Sequence, residues 1–77
     1  MEQGIKASKI IGTNIGRFRV KKPLTQDELA AQMQSNDCDI SRGTLAKIEA
    51  GIRHISVDEL ETIRKILEMD YADFFKK

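Results

Sequence analysis

Apolar side chains recur along this chain at the three- and four-residue spacing that is typical of amphipathic helices. The first such group, Ile11, Ile15 and Phe18, predicts a helix from about Lys9 to Lys21. Pro23 ends it, because the residue before a proline avoids helical dihedral angles. Two glycines inside this segment each weaken a helix by roughly 1 kcal/mol relative to alanine. The helix must therefore depend on packing against the rest of the molecule.

Two further helices are predicted between Thr25 and Gly51, where the sequence carries capping signals. Thr25 and Glu28 have the spacing of a capping box, in which each side chain binds the backbone amide of the other residue. Ser41 is a suitable N-cap for the next helix, which extends to Ala50. Gly51 tolerates the left-handed conformation that ends many helices. The apolar sides of these helices are Leu29 with Met33, and Leu45 with Ile48.

A fourth helix and a short fifth one are predicted in the last third of the chain. Ser56 and Glu59 form a second capping box, and a helix to about Glu68 follows it. Asp70 can cap a final turn or two. The apolar stripe of the fourth helix is Val57, Leu60, Ile63, Ile66 and Leu67. The last turns carry Tyr71, Phe74 and Phe75, which either pack in the core or lie at a dimer interface. The chain is therefore predicted to be all-α, with five helices and no strand.

The 77 residues of the chain suffice for one small domain. We expect residues 1–8 to form a flexible N-terminal arm and residues 9–77 to form the domain, with no separate catalytic or small-molecule effector domain. No apolar run approaches the roughly 20 residues that span a bilayer, and the N-terminus lacks the apolar segment of a secretory signal. No membrane partner is expected.

The net charge of +1 hides an uneven distribution along the chain. Residues 1–54 carry nine Lys/Arg against six Asp/Glu, whereas residues 55–77 carry four against six. A mildly basic first part and a mildly acidic last part are compatible with one face that meets phosphate and another that meets solvent or a partner.

The reactive side chains argue against an enzyme or a metal protein. The single cysteine, Cys38, and the single histidine, His54, cannot provide an internal disulfide or a structural zinc centre. The carboxylates at the start of the fourth helix are explained by the helix dipole. With no nucleophile, metal cluster or phosphate loop, we expect no catalysis and no cofactor. One unpaired cysteine fits a reducing, cytoplasmic setting.

Four motifs then occur in a fixed order. They are I-G-x-x-I-x-x-F-R at Ile11–Arg19, L-T-Q-x-E-L-A at Leu24–Ala30, S-R-x-T-L-x-K-I-E-x-G at Ser41–Gly51, and the closing segment Ser56–Leu67 with Phe74–Phe75. In this order and spacing the chain resembles the lambda-repressor-like, Cro/repressor (XRE-type) helix-turn-helix family. The resemblance implies a compact five-helix DNA-binding domain.

The resemblance also implies roles for individual residues. Gln26 matches a glutamine that contacts a DNA phosphate and braces the recognition helix, and Arg53 matches a loop that contacts phosphate. Arg19 and Glu49 match an internal ion pair. The remaining matches lie on the recognition helix: Arg42, Gly43 and Lys47 face base edges, while Ser41 and Thr44 cap the helix or reach phosphate and base.

Two features depart from the family pattern. Gln34 stands where the turn between the second and third helices commonly starts with glycine, and residues 35–39 look like an insertion. This insertion either lengthens the second helix or bulges as a loop, and its Asp37 and Asp39 would be repelled by a nearby phosphate. In addition, Gly43 offers no side chain where the family often has one that reads a base.

The resulting hypothesis is a sequence-specific DNA-binding transcriptional regulator, and more specifically a repressor. It would insert the helix at 41–50 into the major groove and bind double-stranded DNA as a homodimer on a near-palindromic operator. The alternative is a protein-interaction module, such as an antitoxin-like or antirepressor partner that reuses the fold. The insertion, Gly43 and the small net charge favour that alternative.

Overall fold

The computed structural model describes the backbone of residues 2–77 and the side chains from Ser8 onward. Over this range the chain forms four α-helices and one 3₁₀ helix: α1 (Glu2–Lys21), α2 (Gln26–Ser35), α3 (Arg42–Glu49), α4 (Val57–Leu67) and the 3₁₀ helix Tyr71–Phe75. The all-helical prediction is confirmed, and the described backbone contains no strand. None of the described helices combines the length and apolarity needed to cross a membrane.

The predicted fifth α-helix is wrong. Residues Tyr71–Phe75 form a 3₁₀ helix instead, and the Asp73 amide donates to the Asp70 carbonyl at 2.9 Å. Five residues are too few to nucleate a stable α-helix, whereas single 3₁₀ turns are common as short connectors. The fold is therefore a four-helix domain closed by a tight C-terminal turn.

The first helix starts earlier than predicted, at Glu2 rather than near Lys9. The prediction followed the apolar spacing, which begins only at Ile11. The preceding residues are mostly good helix formers such as Glu, Gln, Lys and Ala, so the backbone helix continues through them without an apolar stripe. The side chains of the expected N-terminal arm, apart from Ser8, lie outside the described residues.

The predicted starts of α2, α3 and α4 are confirmed by their caps. The capping boxes Thr25–Glu28 and Ser56–Glu59 are both present, and Ser41 Oγ accepts the Thr44 amide at 3.1 Å. These caps satisfy the amides that a helix leaves unpaired in its first turn. Local side-chain chemistry therefore sets where three of the four helices begin.

Three helix ends share one left-handed turn. In each turn, one residue has a positive φ. The amide of that residue and the amide of the next residue both donate to carbonyls of the last helical turn, which is a Schellman motif. Gly51 plays this part after α3, as predicted, with φ 77°. Asp37 plays it after α2 (φ 64°) and Glu68 after α4 (φ 57°), although neither is a glycine.

The core lies where all the helices meet. Asn14 is its one buried polar side chain among the described residues, and its amide donates to the carbonyls of Phe74 and Lys76, both at 2.8 Å. This residue ties the C-terminal turn to α1. The fully buried apolar side chains include Ile15, Leu29, Met33, Leu45, Ile48, Ile63 and Phe74.

The predicted apolar stripe of α4 is correct except at its first residue. Ile63 and Leu67 are buried and Leu60 and Ile66 pack against the core, but Val57 is 80% exposed. Val57 is the first helical residue, beside the exposed cap, where the helix has not yet reached the core.

A close crossing joins α1 to the end of α3. A Cβ on Gly12 would lie 2.2 Å from the Ile48 carbonyl oxygen, and one on Gly51 would lie 2.7 Å from Lys9 Cα. Only glycine leaves room for such backbone contact. The expectation that α1 depends on packing is thus met at Gly12, and this crossing fixes where α3 stands on the domain.

Candidate nucleic-acid interface

Helix α3 carries one apolar face and one polar face. Leu45 and Ile48 are buried, which anchors the helix to the core. Ser41, Arg42, Gly43 and Lys47 are exposed, and Thr44 is half-buried. The arrangement presents short polar and basic side chains to solvent from a helix that is held rigidly by its other face.

The start of α3 is fixed by its own cap. Thr44 donates its amide to Ser41 Oγ, and the two hydroxyl groups lie 3.0 Å apart. Ser41 and Thr44 therefore act first as capping residues here. Both hydroxyls lie at the exposed end of the helix, where a further acceptor or donor can reach them.

Gln26, at the start of α2, bridges two parts of α3. Its side-chain nitrogen donates to Glu49 Oε1 at 3.0 Å, and its side-chain oxygen accepts from Arg42 Nη1 at 3.3 Å. Arg42 Nε also lies 3.7 Å from Asp27 Oδ1. A single glutamine thus positions the first basic residue of α3 from the neighbouring helix.

The internal pair of Arg19 and Glu49 is present. Arg19 Nε donates to Glu49 Oε2 at 2.7 Å and Nη2 to Oε1 at 3.1 Å, while Nη1 donates to the Leu24 carbonyl at 2.8 Å. The two side chains are only 15% and 11% exposed. Because the guanidinium and the carboxylate both have several partners, the pair fixes α1 against α3 without leaving a charge unsatisfied.

A continuous chain of polar contacts follows from these bonds. It runs from Arg19 through Glu49 and Gln26 to Arg42, and so connects α1, α3 and α2. Its inner end is shielded from water and its outer end is exposed, with the Arg42 side chain 56% exposed. The exposed arginine is therefore linked through Gln26 and Glu49 to the largely buried Arg19.

Arg53 is engaged by a carboxylate in the α3–α4 loop. Its guanidinium donates to both oxygens of Glu59, at 3.0 and 3.1 Å, and to the His54 carbonyl. The hydrogen bonds from Arg53 hold the pKa of Glu59 below its usual range and raise the pKa of Arg53. A phosphate at Arg53 would have to share it with Glu59, so the expected phosphate contact competes with an existing pair.

The enlarged corner at 35–39 combines both arrangements that its sequence allowed. Helix α2 continues to Ser35, and a loop then follows the left-handed Asp37. Gln34 does not serve as the turn residue, since it lies inside the helix and its side chain donates to the Ile40 carbonyl at 2.7 Å. The corner is closed by hydrogen bonds of its own and is not a loose insertion.

The corner packs towards α4 and leaves the exposed face of α3 open. Asp37 and Cys38 line a shallow groove with Asp58, Glu61 and Lys65. Burial raises the pKa of the Cys38 thiol, and its acidic neighbours add to that effect. Arg42 and Lys47 remain exposed. Asp37 therefore belongs to a separate surface from the basic side chains of α3.

Two residues that the sequence did not single out contribute to this arrangement. Asp27 faces Arg42, and its place in the first turn of α2 beside Gln26 was the available signal. Asn14 holds the C-terminal turn. Its signal was a polar residue in register with Ile11 and Phe18 on the apolar side of α1.

The comparisons with known proteins fit this geometry. A family model described as helix-turn-helix matches residues 15–74, which is most of the chain. No curated protein and no solved structure matches the chain at a significant level.

Proposed function

Because the chain belongs to the helix-turn-helix family of XRE-type, lambda-repressor and Cro-like DNA-binding regulators, we propose that it is a sequence-specific transcriptional repressor. In this proposal α3 enters the major groove of double-stranded DNA. The observation that carries it is the exposed polar face of α3, which is held from behind by Leu45 and Ile48 and from the side by Gln26.

The chemistry of that face suits a DNA groove. The major groove admits an α-helix, and arginine pairs in a fork with the O6 and N7 atoms of guanine. Arg42 and Lys47 supply the long basic side chains. Gly43 adds no contact of its own, and a Cβ there would meet only Ser41 Oγ at 3.9 Å, so nothing in the protein crowds this position. The backbone of α3 can thus approach the bases closely.

Contacts to phosphate complete the proposed interface. Gln26 lies at the N-terminus of α2, where free amides and the helix dipole favour an anion. Ser41 and Thr44 offer hydroxyls at the corresponding end of α3. Arg53 contributes from the following loop once its bond to Glu59 is shared with the DNA. Such contacts set the register on the duplex without carrying sequence information.

We propose that the protein binds as a homodimer on a near-palindromic operator. One small domain makes few contacts, and linking two binding events raises affinity without new contacts. Half-sites of a symmetric helix-turn-helix dimer lie about one helical turn, roughly 34 Å, apart. The exposed Tyr71 and Phe75 of the C-terminal turn are the aromatic side chains available for the pairing.

Selection of bound duplexes from a random pool at physiological salt tests the proposal. The expected result is an enriched sequence with two-fold symmetry. Arg42→Ala and Lys47→Ala should each weaken binding to it by about 1–3 kcal/mol if the side chain reads a base. Lys65→Ala, an exposed helical lysine on α4, is the matched control and should leave the affinity unchanged.

Salt dependence separates this proposal from a protein-interaction module. Binding to DNA releases counterions, so the logarithm of affinity falls steeply with the logarithm of salt concentration. A complex with another protein through apolar surface would respond little. A random pool that yields no enriched duplex, or full binding by both α3 variants, would contradict the DNA-binding proposal.

A further inference from the structure

A second surface carries positive charge without any part of α3. Two adjoining shallow grooves run along the exposed side of α1 and share Thr13 and Arg17. We call them together the α1 groove. Its charged lining residues are all basic: Lys9, Arg17, Arg19, Lys21, Lys76 and Lys77.

Most of these charges are available to a ligand. Arg19 and Lys76 are the exceptions, because Arg19 is paired with Glu49 and Lys76 with Asp73. Lys76 lies 2.9 Å from Asp73, a carboxylate that also lies near Lys21, but Asp73 lines neither groove. Within the described side chains, Lys9 and Arg17 form no ion pair. Lys9 and Arg17 therefore give the groove positive charge that no ion pair of the described side chains neutralises.

The opposite sign collects elsewhere on the molecule. The groove between the corner and α4 is lined by Asp37, Asp58 and Glu61 against the single cation Lys65. The small net charge of the chain thus conceals two separate charged surfaces. Such a separation orients a protein in the field of a polyanion.

We propose that the α1 groove is a second, sequence-independent binding surface for the phosphate backbone of duplex DNA. Lys9, Thr13, Arg17 and Lys21 recur every fourth residue along α1 and form a row about 18 Å long. DNA presents charge continuously along such a length. Lysine, arginine and threonine are among the side chains that bind phosphate oxygens.

An acidic protein is the other polyanion that this charge would attract, and the lining favours DNA over it. Protein interfaces are depleted in lysine and enriched in aromatic side chains. The α1 groove has several lysines and no aromatic side chain, and Val20 is its one exposed large apolar residue. An extended phosphate backbone needs no apolar anchor.

The test measures affinity for a 20-base-pair duplex of random sequence as a function of salt. We expect the double variant Lys9→Gln/Arg17→Gln to lower the log–log salt slope by roughly two, because each lost phosphate contact removes about 0.9. Lys22→Gln/Lys65→Gln removes the same charge outside the α1 groove and should leave the slope unchanged. Equal slopes for the two double variants would overturn the proposal.

Two further measurements sharpen this result. Polyglutamate as the ligand stands for an acidic protein, and a variant that loses polyglutamate but keeps the duplex would overturn the proposal. Arg42→Ala, measured on the same random duplex, leaves the α1 groove intact. This variant should therefore keep the part of the salt slope that Lys9→Gln/Arg17→Gln removes. These measurements test the α1 groove separately from the recognition helix. The proposal for the α1 groove can therefore be correct even if the selection yields no operator.

Discussion

Arg19 places a cation in a site that is largely closed to water, and this makes it sensitive to substitution. We predict that Arg19→Met destabilises the fold by about 3 kcal/mol, because Glu49 would keep a shielded charge without its main partner. Urea unfolding measures the change. Arg17→Met, an exposed position on the same helix, is the control and should alter stability by less than about 0.5 kcal/mol. An unchanged midpoint for the Arg19 variant would refute the structural role of the pair.

Asp37 has a backbone conformation that disfavours side chains with a Cβ. We predict that Asp37→Gly stabilises the protein by up to about 1 kcal/mol, since glycine adopts a positive φ without the steric penalty. Thermal unfolding provides the measurement. Asp39→Gly removes the same charge from the same loop at a residue that lacks a positive φ. That control should be neutral or destabilising, and a similar gain in both variants would point to charge instead of backbone strain.

At the scale of the helices, the crossing of α1 and α3 depends on the absence of a side chain at Gly12. We predict that Gly12→Ala destabilises the fold by about 3 kcal/mol although alanine favours helix, because the new Cβ would overlap the Ile48 carbonyl and force the helices apart. At Gly16 the nearest atom is Glu49 Oε1, at 3.3 Å, on a side chain that can move. Gly16→Ala should therefore lower the melting temperature much less. Equal losses would contradict the proposed crossing.

The starts of α2, α3 and α4 were predictable because their signals are local. Thr25 with Glu28, and Ser56 with Glu59, carry complete capping boxes within four residues of sequence. The end of α2 was harder to predict. The left-handed turn after α2 falls on Asp37. Aspartate can adopt this conformation, but unlike glycine it does not indicate a left-handed turn in the sequence. The sequence alone could not decide between a longer helix and a loop at 35–39.

The candidate site depended on contacts between distant parts of the chain. The links of Gln26 to Glu49 and Arg42 join residues 23 and 16 positions apart, and the resemblance to a family implied only that Gln26 braces the recognition helix. The bond from Arg53 to Glu59 was missed because it spans a loop and follows no helical spacing. Periodicity describes single elements, whereas such contacts arise from the way the elements pack.

At the scale of the whole molecule, the fixed position of α3 on its domain allows a prediction about the spacing of half-sites that the proposed dimer would bind. The polar contacts from Arg19 to Arg42 and the backbone crossing at Gly12 hold α3 against its own core. In the proposed symmetric pair, the dimer contact would then set one separation between the two recognition helices. DNA must match that separation, because bending or twisting it costs free energy.

We therefore predict a dependence on the spacing between half-sites. Adding about five base pairs, half a helical turn, at the centre of the selected operator should turn one half-site to the opposite side of the duplex and abolish cooperative binding. Adding about ten base pairs is the control for length, since it returns both half-sites to one side. Gel-shift titration against protein concentration distinguishes the two cases. If affinity and cooperativity are indifferent to the added half turn, the copies bind as independent monomers.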